Sequence, residues 1–239
     1  MADTLFRSTM TLLGRTAGVD RLASPDWPRL MACLLADQFD REIASDRTYN
    51  GPSLLIERKE LPEVKTKPEP RACYGLFHQV RTKSGSLISI GDRTYRFIGY
   101  EVPNQTGEPG RCADILALND EDGLTVFELK LRGNDYGPFR AMLEGLDYLS
   151  SFLCSGNLQK LSGEIRQIYG IELMRNVGHE IVVLADPAYF ERETQRRLQS
   201  DQWDQLKNLV IPSDPSVTIR FAQAELDSDG YFQADVQWV

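Results

Sequence analysis

The order of patterned segments predicts an α/β fold, a mixed central sheet flanked by helices. Three observations carry it. An amphipathic helical stretch comes first, a block of alternating strands follows, and from about residue 138 helical and strand patterns take turns around one uniformly apolar run. Chains that combine an antiparallel block with strand–helix alternation build sheets with helices packed on their faces.

Residues 27–45, WPRLMACLLADQFDREIAS, place Leu30, Met31, Leu34, Leu35 and Phe39 at helical spacing behind the start signal Ser24-Pro25-Asp26. From Asn50 to about Arg71, a short strand SLLIE leads into RKELPEVKTKPEPR, whose Pro, Lys and Glu content predicts an extended surface connection. SLISIG and TYRFIGYEV form a hairpin through Gly91-Asp92-Arg93 and feed into Glu101-Val102-Pro103. RCADILAL and LTVFELKL follow, separated by Asn119–Gly123 with Asp-Gly at its end, a hairpin-turn signal. Pro138 suits the first turn of the helix FRAMLEGLDYLSSFL. A second helical stretch, NLQKLSGEIRQIYG, leads to HEIVVLADP, in which IVVLA reads as a strand buried on both faces. A helix AYFERETQRRLQSDQWDQLKNL and strands VTIRFAQAEL and YFQADVQWV complete the chain. The division predicted is an N-terminal helical region and extended linker over 1–75 and a main domain over 76–239 with a C-terminal α/β extension.

At 239 residues, with 41% hydrophobic and 26% charged residues, the chain can bury a substantial core. Its net charge of −8 argues against a surface that attracts polyanions everywhere, although a local basic groove remains compatible. Metal-binding carboxylates also make the bare charge more negative than the loaded site. Cys33, Cys73, Cys112 and Cys154 form no C-x-x-C pair, which predicts reduced, mostly buried thiols in a cytoplasmic protein. Asp3, Arg7 and Arg15 interrupt the amino terminus, so no signal peptide is expected, and no stretch approaches the ~18 apolar residues of a membrane span.

The chemistry lies in the second hairpin. Alternation in LTVFELK puts Glu128 and Lys130 on one strand face, and pairing Leu118 with Leu124 across the turn brings Asp114 opposite Glu128. Two carboxylates and an ammonium then converge. The chain has three E-x-K triplets, Glu57/Lys59, Glu63/Lys65 and Glu128/Lys130, but only the third has a carboxylate partner on a facing strand. Cleaving a phosphodiester calls for a hard divalent cation, and magnesium takes oxygen ligands from one or two carboxylates plus water and substrate. Asp114 and Glu128 offer those oxygens, with the Leu129 backbone carbonyl as a third ligand, and the expected ion is Mg2+ or Mn2+. Lys130 can orient the attacking water and offset charge developing on the phosphate.

These residues resemble the PD-(D/E)xK superfamily, the restriction-endonuclease-like nucleases. The resemblance rests on Asp114 in GRCADILAL, Glu128 and Lys130 in FELK, and the following helix RAMLEGLDYL, and it covers roughly residues 90–185. It implies a restriction-endonuclease-like mixed sheet and a metal-dependent nuclease, with DNA favoured over RNA as substrate. In several branches that helix carries Q-x-x-x-Y; here Glu144 and Tyr148 hold the matching i, i+4 positions, with Glu in place of Gln. Ala113 stands before Asp114, so the literal Pro-Asp is absent. Glu101 resembles the extra acidic residue some members place at the edge of the site. Arg111, Arg132 and Arg140 flank the site as candidates for phosphate contacts.

Other chemistries find less support. His78 and His179, the two histidines, lie in no zinc or Ser-His-Asp pattern, and no P-loop is present. A glycosidase would give Lys130 no necessary role. The alternative is a catalytically inactive relative serving as a nucleic-acid-binding or protein-interaction subunit. Absence of a DNA-reading module leaves room for a homodimer mate or a partner protein.

Overall fold

The structure is a computed structural model describing residues 27–45, 49, 51, 53–55, 68–103, 112–134, 137–174, 176–197, 200–226, 232–233 and 235–239. Its elements are α1 (Trp27–Ile43), α2 (Pro68–Ser84), β1 (Leu87–Ile90), β2 (Arg93–Pro103), β3 (Cys112–Leu118) and β4 (Leu124–Lys130), followed by α3 (Pro138–Leu153), α4 (Ser155–Tyr169), β5 (His179–Ala185), α5 (Pro187–Arg197), α6 (Ser200–Lys207), β6 (Val210–Ile211), β7 (Val217–Gln223) and β8 (Gln237–Trp238). The fold is α/β, as expected, with a mixed sheet between helices.

The sheet runs β1-β2-β3-β4-β5-β7-β6, with β8 also on β7. Strands β1 to β4 form an antiparallel meander, whereas β4, β5 and β7 run parallel. This change of direction matches the sequence, because short turns join β1 to β2 and β3 to β4, and helices intervene before β5 and β7. The Gly91-Asp92 turn joins β1 to β2, and Asn119 organises the next turn, its Oδ1 accepting the Glu121 and Gly123 N–H groups at 3.0 and 2.8 Å.

Two apolar layers cover the faces. On one, α1 and α3 pack with Leu124, Val126, Ile181 and Val183; on the other, α2 packs with Phe97, Phe127, Leu129 and Val182. The β5 strand is buried over its full length, as its apolar run predicts. The sheet curls around the second layer, so that Trp238 of β8 lies 6.2 Å from the Tyr95 ring of β2 although the strands between them number several. Gly91 makes that closure feasible: its φ is +59°, and a Cβ there would sit 2.7 Å from Trp238 Nε1.

Four expectations change. The extended connection predicted to about Arg71, of which residues 56–67 lie outside the described residues, gives way to helix earlier: α2 starts at Pro68 and buries Ala72, Cys73, Leu76, Phe77 and Val80. Pro-Glu-Pro-Arg reads as loop in isolation, yet prolines are tolerated in a first helical turn, whose N–H groups have no helical partner, and Glu69 suits its positive end. Ser53–Leu55 is a bend and no strand; Leu54 and Leu55 are buried, and the Glu164 carboxylate accepts their N–H groups and the Ser53 hydroxyl. The single C-terminal helix is divided into α5 and α6, and among the described residues of YFQADVQWV only Gln237–Trp238 is a strand. The other two E-x-K triplets lie outside the described residues. All four cysteines are free, with Cys73 and Cys154 buried, Cys112 half-buried and Cys33 exposed on α1. Among the described residues no helix is long and apolar enough to cross a membrane.

Candidate active site

The predicted register is present. Leu118 pairs with Leu124, Leu116 with Val126 and Ile115 with Phe127, which puts Asp114 next in line opposite Glu128. The ladder stops there, one residue short of that pair. In place of a backbone acceptor on β3, the Leu129 N–H donates to Asp114 Oδ2 at 2.7 Å. The two strands therefore splay apart, and the Asp114 carboxylate spans the gap. On its other edge β4 stays paired with β5 through Lys130, whose carbonyl accepts the Asp186 N–H. Because N–H and C=O of one extended residue point to the same side, the Leu129 carbonyl faces the gap.

Glu128 and Lys130 project from β4 on the face covered by α3, as Leu124 and Val126 do. Helix α3 lies close enough to reach them because of Gly145, where a Cβ would come within 2.6 Å of Ile181 Cγ2. That approach lowers Glu144 and Tyr148 onto the site. Lys130 Nζ donates to Glu128 Oε1 at 2.6 Å and lies 3.1 Å from Glu144 Oε2, while Arg140 Nε reaches Glu144 Oε1 at 3.4 Å. Glu128 and Lys130 are each only 4% exposed. Glu128 Oε2 is buried and has no hydrogen-bond partner among the described residues.

Burial and mutual repulsion dominate the electrostatics. Asp114 is pushed up to about 7, chiefly by burial and further by Glu69 and Glu144, while Lys130 and the Leu129 N–H pull it down. Glu128 is raised by burial and by its carboxylate neighbours, against the pull of Lys130. Burial alone would lower the Lys130 ammonium, but Glu128, Asp114 and Glu144 outweigh it and hold it above its ordinary value. Tyr148 is raised by burial and then by Glu128, Asp114 and Glu144, so its hydroxyl lies in the same negative field.

The sequence-predicted residues Asp114, Glu128, Leu129, Lys130, Glu144 and Tyr148 thus come together. Glu101 falls opposite Asp114 in the β2–β3 register, between Tyr100↔Ile115 and Val102↔Ala113, with a left-handed φ of +44°. Arg140 reaches the cluster through Glu144, Arg132 is exposed just beyond β4, and Arg111 lies outside the described residues.

Residues of α2 and its surroundings were missed. The Cys73 thiol donates to the Asp114 carbonyl at 2.7 Å and is raised by burial and then by Asp114, Glu101 and Glu128. Glu69 accepts from Asn134 Nδ2 at 2.5 Å, and the Asn134 carbonyl accepts from Arg192, tying the segment after β4 to α2 and α5. No spacing signal marks Glu69 and Cys73, which belong to a helix whose first turn reads as a loop, or Asn134, which lies in the segment after β4. His179 is structural: its Nδ1 accepts the Leu124 N–H at 3.0 Å, and burial lowers it to about 4, keeping it neutral.

No family model, curated protein or solved structure matches the chain. What the site can do follows from its geometry and chemistry. Among the described residues no three His, Cys, Asp or Glu side chains are arranged to hold an ion by themselves. That does not conflict with magnesium, which keeps several waters and needs one or two carboxylates. An orphaned buried carboxylate oxygen beside a second raised carboxyl fits a site completed by a divalent cation.

Proposed function

We propose that the protein is a metal-dependent nuclease that hydrolyses phosphodiester bonds, with DNA as substrate, on a restriction-endonuclease-like arrangement of sheet and helices. The observation that carries this is the unpartnered, buried Glu128 Oε2 at the splayed end of β3 and β4, in a cluster where Asp114, Glu128 and Glu144 surround the single ammonium of Lys130. Asp114, Glu128 and the Leu129 carbonyl are the groups to hold Mg2+ or Mn2+. Such an ion supplies polarisation of a phosphoryl oxygen and a more acidic attacking water. Lys130, a donor with no acceptor capacity, holds the attacking water by a hydrogen bond and offsets charge building on the phosphate. Tyr148, from the helix above, presents a neutral hydroxyl that can donate to the same phosphate. Arg132 and Arg140 offer guanidinium groups to flanking phosphates.

The alternative is a non-cutting subunit of the same architecture. What favours it is the net charge of −8, which gives little general attraction for a polyanion. Metal-dependent cleavage separates the two. Supercoiled plasmid is incubated with the protein and Mg2+, Mn2+ or EDTA, beside Asp114→Ala and Lys130→Ala variants whose folding is checked by circular dichroism; a structured RNA is run in parallel. Cleavage that needs the metal and disappears in both variants supports the nuclease. Near-normal cleavage by both would sink these assignments, and metal binding without cleavage by the wild type would favour the non-cutting subunit.

A further inference from the structure

The geometry points to Glu144 as a positioning residue that takes the Lys130 ammonium over from Glu128 when a divalent cation binds. This rests on the nuclease reading above and concerns how its ion gains entry. Lys130 Nζ sits 2.6 Å from Glu128 Oε1 and 3.1 Å from Glu144 Oε2, so one ammonium already touches two carboxylates from different elements, β4 and α3. An ion ligated by Glu128 places two positive charges beside that ammonium. In a low-dielectric interior such repulsion is severe unless the ammonium keeps an anionic partner. Glu144 is that partner, in contact before the ion arrives. Lys130 then moves a short way along a path that never leaves it unpaired, ending with the ion on Asp114 and Glu128 and the ammonium on Glu144.

The second Glu144 oxygen explains why this carboxylate stays in place. Oε1 faces Arg140 Nε at 3.4 Å, four residues earlier on α3, while Oε2 faces Lys130. Glu144 is anchored from the rim and receives from the interior. A glutamine here would offer the ammonium a carbonyl dipole but no negative charge, so the Coulombic part of the pairing is lost. Lys130 would then stay on Glu128 and compete with the incoming cation.

Calorimetric titration of Mn2+ into the full chain tests this without relying on cleavage. Glu144→Gln should weaken Mn2+ binding by at least about fivefold, the range of coupling between groups in contact. Glu144→Asp should weaken it similarly although the charge is kept, because the shorter side chain withdraws from Lys130. Lys130→Met should bind Mn2+ more tightly than wild type, and adding Glu144→Gln to it should change the affinity less than about twofold. A full loss from Glu144→Gln in the Lys130→Met background would overturn the proposal and make Glu144 a ligand of the ion. Wild-type affinity in Glu144→Asp would overturn it in favour of a diffuse field effect, and this arm decides if Lys130→Met does not fold. Wild-type protein that binds no Mn2+ would remove the nuclease reading itself, whereas wild-type binding with unaltered Glu144 variants removes the hand-off alone.

Discussion

Glu180 and Glu128 are both buried carboxylates on adjacent parallel strands, at 3% and 4% exposure, but their surroundings follow different rules. Glu180 stands near the start of β5 on the α2 face. Its Oε1 accepts from Arg93 at 2.5 Å, its Oε2 accepts from the Tyr95 hydroxyl at 2.6 Å, and Arg220 Nε lies 3.5 Å from Oε2. Arg93 also reaches Asp120 at 3.0 Å, so two guanidiniums face two carboxylates. Both Glu180 oxygens are engaged, and the cluster ties β2 to β5 and β7, holding the curl of the sheet. Glu128, near the end of β4 on the opposite face, has among the described residues one cationic partner, Lys130, which it shares with Glu144, and leaves one oxygen unpartnered. A buried charge is tolerated when it is paired and hydrogen-bonded. The Glu180 carboxylate meets that condition with protein groups alone, the atoms of its cluster without a hydrogen bond being the Nε groups of Arg93 and Arg220, whereas the Glu128 carboxylate does not, and the shortfall on that oxygen is what an incoming cation can supply.

Neutralising each carboxylate should therefore have opposite consequences, and this is the largest expected effect. Glu128→Gln should reduce metal-dependent cleavage by about a thousandfold or more, as loss of a group that positions transition-state charge stabilisation does. Its melting temperature should hold or rise, because an under-compensated buried charge is removed. Glu180→Gln should leave cleavage within about twofold at low temperature but cost about 3 kcal/mol of stability by removing the buried carboxylate that Arg93 and Arg220 share. For a chain of this size that is a fall of roughly 6 to 12 °C. Plasmid cleavage and thermal melts of both variants read these outcomes; a Glu180 variant that loses activity while retaining its stability would erase the distinction between clamp and site.

The same contrast predicts a pH dependence. Asp114 is held up to about 7 and Glu128 above its ordinary value, chiefly by burial, so at pH values between the unfolded carboxylate value of ~4 and these raised values the native state binds more protons than the unfolded one. Stability in EDTA should fall as pH rises from about 4 to 7. Asp114→Asn should flatten that slope, whereas Glu180→Gln should keep it from a lower starting point. Mn2+ at a hundred times its dissociation constant should restore about 2.7 kcal/mol near neutral pH. A metal-free melting temperature that climbs steadily across this window would contradict the strained state of the carboxylates.

The two clusters also differ in how legible they are. Asp114, Glu128 and Lys130 could be read because period-2 alternation and one tight turn determine which residues meet, and the register from Leu118↔Leu124 to Ile115↔Phe127 follows from those rules. Glu144 and Tyr148 could be read from helical spacing and the strand–helix order, but the close seat that brings them down depends on Gly145 against Ile181, a tertiary fit. Glu69 and Cys73 could not be read, because Pro68 and Pro70 mark a loop as readily as a first helical turn. The clamp was not legible either. Arg93, Tyr95, Glu180 and Arg220 come from three strands, two of which, β2 and β5, are separated in the sheet by β3 and β4, and they meet through curling. Curl arises from twist accumulated over many strands, which no local pattern encodes.

The smallest effect separates two tyrosines. The Tyr95 hydroxyl donates to the Glu180 carboxylate at 2.6 Å, whereas the Tyr148 hydroxyl, though in the field of Glu128, Asp114 and Glu144, makes no hydrogen bond among the described residues. Tyr95→Phe keeps the ring against Phe127 and deletes one bond to an ion, at a cost of about 1.5 kcal/mol or roughly 3 to 6 °C, with cleavage unchanged. Tyr148→Phe deletes a hydroxyl that stabilises nothing in the folded chain, so its stability should shift by less than about 0.5 kcal/mol. Its cleavage rate should instead drop about tenfold, the worth of one hydrogen bond offered to the phosphate and absent from the unliganded protein. If Tyr148→Phe destabilises as Tyr95→Phe does and cuts normally, then Tyr148 belongs to the packing of α3 on the sheet, and the substrate-facing part of the site ends at Glu144.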